Sequence, residues 1–342
     1  MSRPTIADVA REASVSKATV SRVLSGRAEY MRDATRQRVE QAIERLNYRP
    51  SSVARSLTSK RTHTAGILIS DVGNPFYPEV IHGVEDSAFK DGYDVFLCNT
   101  NYDEKRGMAF VRSLIDKRVD GVLIMSSSMS DDWLAELARN NVPAVVLDWE
   151  VQDAKGNLSL LRVDYQKGVQ EAVDHLIELG HRQFVHVSGP VELRTTHWRQ
   201  EAFLNALEKH GIPTADVMMI EGNLRIEGGR EAMKVITESG EGKTAVFSAN
   251  DLMAMGILAE ARALGIKVPT DMSVIGLDDI WLSTQTDPPL TTVALPRYEI
   301  GQTAMQLLFE LLKNPREKEA EPLYAHVETG LTIRQSTGSV PG

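Results

Sequence analysis

A single cysteine in 342 residues excludes a disulfide framework and a cysteine-built metal centre. It sits in the apolar run Val95-Phe96-Leu97-Cys98, reads as a buried thiol, and suits a reducing compartment. No apolar run approaches the roughly 18 residues that would span a bilayer, so no membrane association is expected. The N-terminus has no secretory hydrophobic segment, and the expected location is the cytoplasm. Three enzyme signatures are missing as well: Gly-x-Gly-x-x-Gly after a strand, the phosphate-binding Gly-x-x-x-x-Gly-Lys-Ser/Thr loop, and the Gly-x-Ser-x-Gly elbow. The adjacent pair Asp278-Asp279 has no histidine or third carboxylate spaced to complete a metal site. Neither a metal, a cofactor nor an enzymatic activity is expected.

What is present is an uneven distribution of charge. The net charge is −9, but residues 1–61 carry +7 and the remainder −16. A basic end on an acidic body suggests that nucleic acid approaches from the N-terminal side, because the body would repel phosphate. The length predicts two or three compact units.

The basic end has the pattern of a helix-turn-helix. Thr5 predicts an N-cap with Asp8 in capping-box position, followed by Ile6, Val9 and Ala10 on one face. Ser14-Val15-Ser16 predicts the turn, with Ser16 capping a second helix that turns Val20, Val23 and Leu24 inward. Lys17, Ala18, Ser21 and Arg22 are left on its outer face. A third helix over Asp33–Leu46 supplies Val39, Ile43 and Leu46. In such a reader the start of the second helix reaches base edges. Lys17 and Arg22 can donate to guanine, and Ala18 can offer a methyl contact. The hydroxyls of Thr5, Ser16, Thr19 and Ser21 suit phosphate oxygens. The plainer reading makes Lys17 and Arg22 a solvated face; the completeness of the flanking pattern weighs against it.

From Thr64 onward strands and helices alternate. Buried parallel strands are predicted at Thr64–Ser70, Asp94–Asn99, Gly121–Met125 and Pro143–Asp148, then at Phe184–Ser188, Val217–Glu221, Ala245–Ser248 and Ser273–Leu277. Helices are predicted between them, including Arg199–His210 and Asp251–Leu264. The alternation predicts two lobes built on doubly wound parallel sheets. Ligands in such sheets sit at the carboxyl ends of strands, where Asn74-Pro75-Phe76-Tyr77, Asp148-Trp149, Asn250-Asp251 and Asp278-Asp279 lie. Amides, carboxylates, an arginine and aromatics together suit a polyhydroxylated ligand such as a sugar. Asn250-Asp251 has a second reading, in which Asp251 caps the following helix. Trp149, Trp198 and Trp281 read equally as stacking platforms or core. His197, Arg194 and Arg225 hint at an acidic sugar or sugar phosphate. Pro296–Leu312 predicts a returning helix, Thr332-Ile333-Arg334 a last strand, and Gln335–Gly342 a frayed tail.

Residues Thr5–Leu24 resemble the DNA-binding signature of the LacI/GalR family of bacterial repressors. The resemblance continues through Asn47-Tyr48-Arg49-Pro50 and Ser51-Ser52-Val53-Ala54-Arg55-Ser56-Leu57, similar to that family's hinge, and at lower specificity to about residue 337. It implies an all-α helix-turn-helix head over residues 1–49 and a hinge over 50–62. It also implies a periplasmic-binding-protein-like α/β body over 63–337, with lobe 1 at about 63–162 and 294–325 and lobe 2 at about 163–292 and 326–337. It implies that Leu57, with Val53 and Ala54, enters the minor groove, where apolar wedges unstack a base step. A plain linker is the alternative for this segment. The family usually carries Asn where this chain has Ser51, and a Ser or Asp cap where it has Arg32. Effector-binding positions of the family fall on Arg199, Asn250 and Asp278, and on Phe76, Tyr77, Asp148 and Thr195, with Arg199 and Asp278 the leading pair. An aromatic wall found in several members is replaced by Leu224. No leucine heptad follows the last strand, so a homodimer rather than a tetramer is implied. The implied function is a repressor of carbohydrate genes that binds a pseudo-palindromic double-stranded DNA operator and answers to a sugar or sugar acid. The alternatives are a solute-binding protein and a co-repressor-dependent regulator like the purine-sensing branch of the family.

Overall fold

In the computed structural model the described residues are 4–24, 31–49, 61–148 and 155–340. The chain divides into two compact units, Met1–His63 and Thr64–Gly342.

Among its described residues the first unit holds three helices: α1 Ile6–Glu12, α2 Lys17–Leu24 and α3 Asp33–Arg45. Val9, Ala10, Ala13, Val20, Val39, Ala42 and Tyr48 form its core, with Ile6, Val15, Val23, Leu24, Ile43 and Leu46 packed around it. A core this small leaves stability dependent on helix ends. Both capping expectations hold: the Thr5 backbone N–H and hydroxyl donate to Asp8 at 2.9 and 2.7 Å, and the Thr19 N–H donates to Ser16 Oγ at 3.1 Å. Ser14 takes the left-handed conformation, φ 54°, that turns the chain between α1 and α2. Arg32 precedes α3 without a side-chain cap.

The second unit contains two six-stranded sheets. The first takes β1 Thr64–Ile69, β2 Asp94–Asn99, β3 Gly121–Met125, β4 Ala144–Leu147, β5 Leu158–Asp164 and β11 Leu323–Glu328, in the order β11-β5-β4-β3-β1-β2. All its pairings are parallel. The second takes β6 Phe184–Ser188, β7 Met218–Glu221, β8 Ala245–Ser248, β9 Ser273–Asp278, β10 Thr291–Ala294 and β12 Gly330–Thr332, in the order β12-β10-β9-β8-β6-β7. Only β12 runs antiparallel, against β10. Around the first sheet lie α4 Phe76–Lys90, α5 Glu104–Asp116, α6 Asp131–Arg139 and α11 Arg297–Lys313; around the second lie α7 Tyr165–Glu178, α8 Arg194–Lys209, α9 Ile226–Ser239 and α10 Asp251–Ala263.

Strands β3, β6, β8 and β9 are buried throughout and β1 is buried beyond Thr64, as parallel strands covered on both faces must be. Helices α4 and α11 approach backbone to backbone: a Cβ on Gly83 would lie 2.1 Å from the Tyr298 carbonyl oxygen, and one on Gly301 2.0 Å from that of Val80. Only a residue without a side chain fits at either point.

Several expectations need correction. Strand β2 is a sheet edge rather than a buried strand, and Phe96 and Leu97 are about half exposed although Cys98 is buried. Strands β5, β10 and β11 were not anticipated, and the last strand lies at Gly330–Thr332, before Ile333. Helix α8 starts five residues earlier than expected, at Arg194. The tail is tied down at least as far as Val340. Ser336 is fully buried and donates to the Val274 carbonyl at 2.6 Å, and the Val340 N–H reaches the Leu179 carbonyl at 3.0 Å.

Candidate functional site

On the first unit, Lys17, Ala18, Ser21 and Arg22 are exposed along α2, whose opposite face buries Val20. Of the four hydroxyls expected to meet phosphate, those of Thr5 and Ser16 already serve as caps, and Thr19 Oγ1 lies 2.9 Å from Ser16 Oγ. The Thr5 hydroxyl beside Asp8 also holds that carboxyl below its ordinary range. Val53, Ala54 and Leu57 lie outside the described residues.

In the second unit, each sheet contains the order 2-1-3-4-5 in its own strand sequence, β2-β1-β3-β4-β5 and β7-β6-β8-β9-β10. In both, adjacent strands lead off in opposite directions beside the first one, and the crevice this leaves is where ligands bind. A cleft with a cavity of about 50 Å³ opens at this end of both sheets. Its wall is assembled strand by strand. Phe76 and Tyr77 follow β1, Tyr102 follows β2, Ser126 and Ser127 follow β3, and Asp148 follows β4. Tyr165 follows β5, Thr195 and Arg199 follow β6, Leu224 follows β7, Asn250 follows β8, and Asp278 ends β9. All seven residues expected to hold an effector therefore line one cavity.

Their partners differ. Asp148, at φ 48°, accepts from the Val163 N–H at 2.8 Å and the Tyr165 hydroxyl at 2.6 Å. Burial pushes its pKa up to about 6, against those hydrogen bonds and the charge of Arg199. Arg199 donates to the Ala249 carbonyl at 2.7 Å, lies over the Tyr165 ring, and stands 3.5 Å from Asp278. At that distance the ion pair is not a hydrogen bond. Asp278 Oδ1 is left without a hydrogen-bond partner among the described residues, and so is Arg199 Nε. Burial raises Asp278 to about 6 despite the arginine. Tyr77 donates to the Met125 carbonyl at 3.2 Å, and its ring meets Phe76 edge to face. Thr195 reaches Ser127 Oγ at 3.4 Å, linking the two sides of the cleft.

Asn250 lines the cleft with its amide committed to the fold. Its Oδ1 accepts from the Met253 N–H at 2.9 Å and its Nδ2 donates to the Leu224 carbonyl at 2.8 Å. The cap of α10 is thus Asn250 and not Asp251. Asp251 is fully buried and accepts from the Ile280 N–H at 2.8 Å and the Thr292 hydroxyl at 2.6 Å. It braces the turn that follows β9, where Asp278 and Asp279 both take positive φ.

The cluster that hinted at an acidic ligand is elsewhere. None of His197, Arg194 and Arg225 lines the cleft; His197 and Arg194 are exposed on α8, and Arg225 pairs with Asp71 at 3.2 Å. Trp281 is exposed, Trp198 is partly buried against the core, and Trp149 lies outside the described residues. Tyr102, Tyr165, Ser126 and Ser127 were missed. The signal that could have found them is position, since each follows a strand of the first sheet. Among the described residues, no helix is long and apolar enough to cross a membrane.

Comparison with known proteins finds a separate family match within each unit. Residues 5–51 match the bacterial regulatory proteins of the lacI family, and residues 173–337 match a periplasmic binding protein-like domain. Catabolite control protein A of Priestia megaterium is 36% identical over 334 residues, covering 97% of this chain and 99% of that protein. The HTH-type transcriptional repressor PurR of Aliivibrio salmonicida is 37% identical over 333 residues, covering 97% and 99%. Among solved structures, the lac repressor dimer bound to operator and the anti-inducer ONPF superposes with a TM-score of 0.86 at 28% identity, covering 99% of this chain and all of that one. A LacI family regulator from Enterococcus faecium with bound ribose gives 0.73 at 30% identity, over 80% and 98% of the two chains. These relatives are regulators and not enzymes. A helix-turn-helix head joined to a ligand-binding body, matched over nearly the whole length, places this chain in the LacI family of DNA-binding transcriptional repressors.

Proposed function

We propose that this repressor answers to a small, neutral, polyhydroxylated effector, a sugar before any other class, held in the cleft of the second unit. One observation carries the reading: a buried donor, Arg199 Nε, and a buried acceptor, Asp278 Oδ1, have no hydrogen-bond partner among the described residues and belong to residues of the same cleft. A buried polar group left unmade costs about 1–3 kcal/mol, so a ligand that satisfies both gains on each side. A hydroxyl donates and accepts at once. Two carboxylates, Asp148 and Asp278, outnumber the one arginine, which disfavours a sugar acid or phosphate. The assigned contacts are Arg199 and Asp278 to hydroxyls, Phe76 and Tyr77 as apolar wall, and Asp148, Thr195 and Asn250 as framing groups. The ribose bound by the E. faecium regulator agrees with this class.

The rest of the assignment follows the family. Residues 1–49 read the operator, with Lys17, Ala18 and Arg22 toward bases and Thr5, Ser16, Thr19 and Ser21 toward phosphates. Residues 50–62 form the hinge, with Val53, Ala54 and Leu57 in the minor groove, and residues 63–337 form the body. A cytoplasmic homodimer would match a pseudo-palindromic site by its own two-fold. Its effector must favour one of two states of that dimer to act at all. Identity to PurR favours a second reading, a purine-type co-repressor. A thermal-shift screen of neutral sugars, sugar acids and purine bases separates the two, because a ligand of the folded state raises its melting temperature. A gel shift on palindromic DNA, with and without the hit, then tests the switch. Stabilisation by purine bases alone would overturn the sugar reading.

A further inference from the structure

A second cavity, of about 300 Å³, lies behind the Asp148–Tyr165 pair, and both residues line both cavities. Helix α8 serves the two cavities with two faces. Thr195 and Arg199 turn to the first; Trp198, Glu201 and Asn205, at helical spacing, turn to the second. Arg162 from β5 and Gln166 from α7 complete it.

The chemistry of this wall is unfinished. Arg162 Nε and Gln166 Nε2 are buried N–H donors without an acceptor among the described residues. Arg162 lies over the Tyr324 ring, which contributes nothing in the plane of its N–H groups. Arg162, Gln166 and Asn205 bring N–H donors to the lining, which suits a ligand rich in acceptor oxygens. Arg162 shares the lining with two carboxylates, Glu201 and Asp148, which disfavours an anionic ligand and leaves a neutral one. The partly buried Trp198 adds an aromatic side chain to the lining. The volume reaches the lower end of the range for small-molecule sites, which the first cavity does not.

We propose that this cavity is a second saccharide subsite, which takes a neutral polyhydroxylated ring on the far side of the Asp148–Tyr165 partition. The inference rests on the sugar reading of the first cleft. The ring is either the second unit of a disaccharide reaching past the partition or a separate monosaccharide.

The test is calorimetric titration of the full chain with D-glucose, D-ribose, cellobiose, maltose and sucrose. It compares wild type with Asn205→Ala, an exposed position, and with Gln166→Ala. A spanning ligand predicts that one disaccharide binds at least tenfold tighter than either monosaccharide. Both variants then weaken it at least fivefold while monosaccharide affinity stays within twofold. A separate ligand predicts two monosaccharides per chain in wild type and one in each variant. The subsite is overturned if disaccharides bind no tighter and one monosaccharide binds per chain, or if the variants weaken all sugars equally or none. Wild type that binds no saccharide at all overturns the first-cleft reading together with this one.

Discussion

Asp278→Asn is the sharpest probe of the cleft, because it changes one charge and almost no volume. Asp278 is 3% exposed, and its Oδ1 stands 3.5 Å from Arg199 with no hydrogen-bond partner among the described residues. If that oxygen accepts a ligand hydroxyl, the bond is charge-assisted and contributes about 1.5–3 kcal/mol. The amide keeps an acceptor oxygen and loses only the charge, about 1–1.5 kcal/mol, so it should bind roughly 5- to 13-fold more weakly at pH 7.5. The same carboxyl predicts a pH profile. With its pKa pushed up to about 6, only about a tenth of it is ionised at pH 5, so wild-type affinity should fall several-fold between pH 7.5 and pH 5. Stability separates this from misfolding. A pKa raised above the unfolded value means that the site as a whole, Arg199 included, disfavours the charge at neutral pH. The neutral isostere should accordingly melt no lower than wild type at pH 7.5. The assay is calorimetry with the sugar giving the largest thermal shift, at both pH values. Affinity of the variant within twofold of wild type, or a wild-type affinity unchanged at pH 5, would refute the assignment.

Three further outcomes are expected. Arg22→Ala should cost about 1–3 kcal/mol of operator affinity and relax base preference at one position, as read by competition gel shifts with single-base variants; undiminished discrimination would remove Arg22 from base reading. Gly83→Ala should lower the melting temperature although alanine favours helix by about 1 kcal/mol, because a Cβ 2.1 Å from the Tyr298 oxygen forces α4 and α11 apart at about 1–3 kcal/mol or more; a higher melting temperature would mean that the helices separate freely. Asp251, fully buried and raised to about 7 by burial first and the nearby Asp278 charge second, is comfortable protonated, so its contribution is intact below about pH 4 and is lost as pH rises through 7. The stability of wild type relative to Asp251→Asn should thus fall over that interval, by at most about 4 kcal/mol in denaturant titrations, and a parallel pair of pH profiles would contradict it.

The parts legible in the sequence were those set by local chemistry. The capping pair Thr5–Asp8, the Ser16 cap and the apolar face of α1 follow from spacing alone, and the structure reproduces them. Strands β1, β3, β6, β8 and β9 are short apolar runs bounded by polar turns. What escaped depends on tertiary placement. Strand β5 has the same apolar character, but no described helix separates it from β4, so the alternation that identifies its neighbours is broken. Strand β11 lies at a sheet edge and alternates exposed Tyr324, His326 and Glu328 with its inward side, which resembles a surface segment. The cleft shows the same limit. Charged residues such as Arg199 and Asp278 stand out by type, whereas Tyr165 and Ser127 become site residues only through the ends of the strands they follow. Charge by itself misled: His197 and Arg194 lie close in sequence to Arg199, but the helical turn points them away from the cleft.

The path of the chain through the two sheets has a consequence for biogenesis. The backbone passes between the lobes three times: directly from β5 into α7, from β10 to α11 through two residues, and from β11 to β12 through one. The first lobe cannot acquire α11 and its outermost strand until every parallel strand of the second has left the ribosome. For most of translation, the nascent protein should therefore hold β5 with an unclosed edge, open to pairing with another chain. A stop codon or proteolytic nick before Leu323 would strand both halves of the body, not only the one in which it falls.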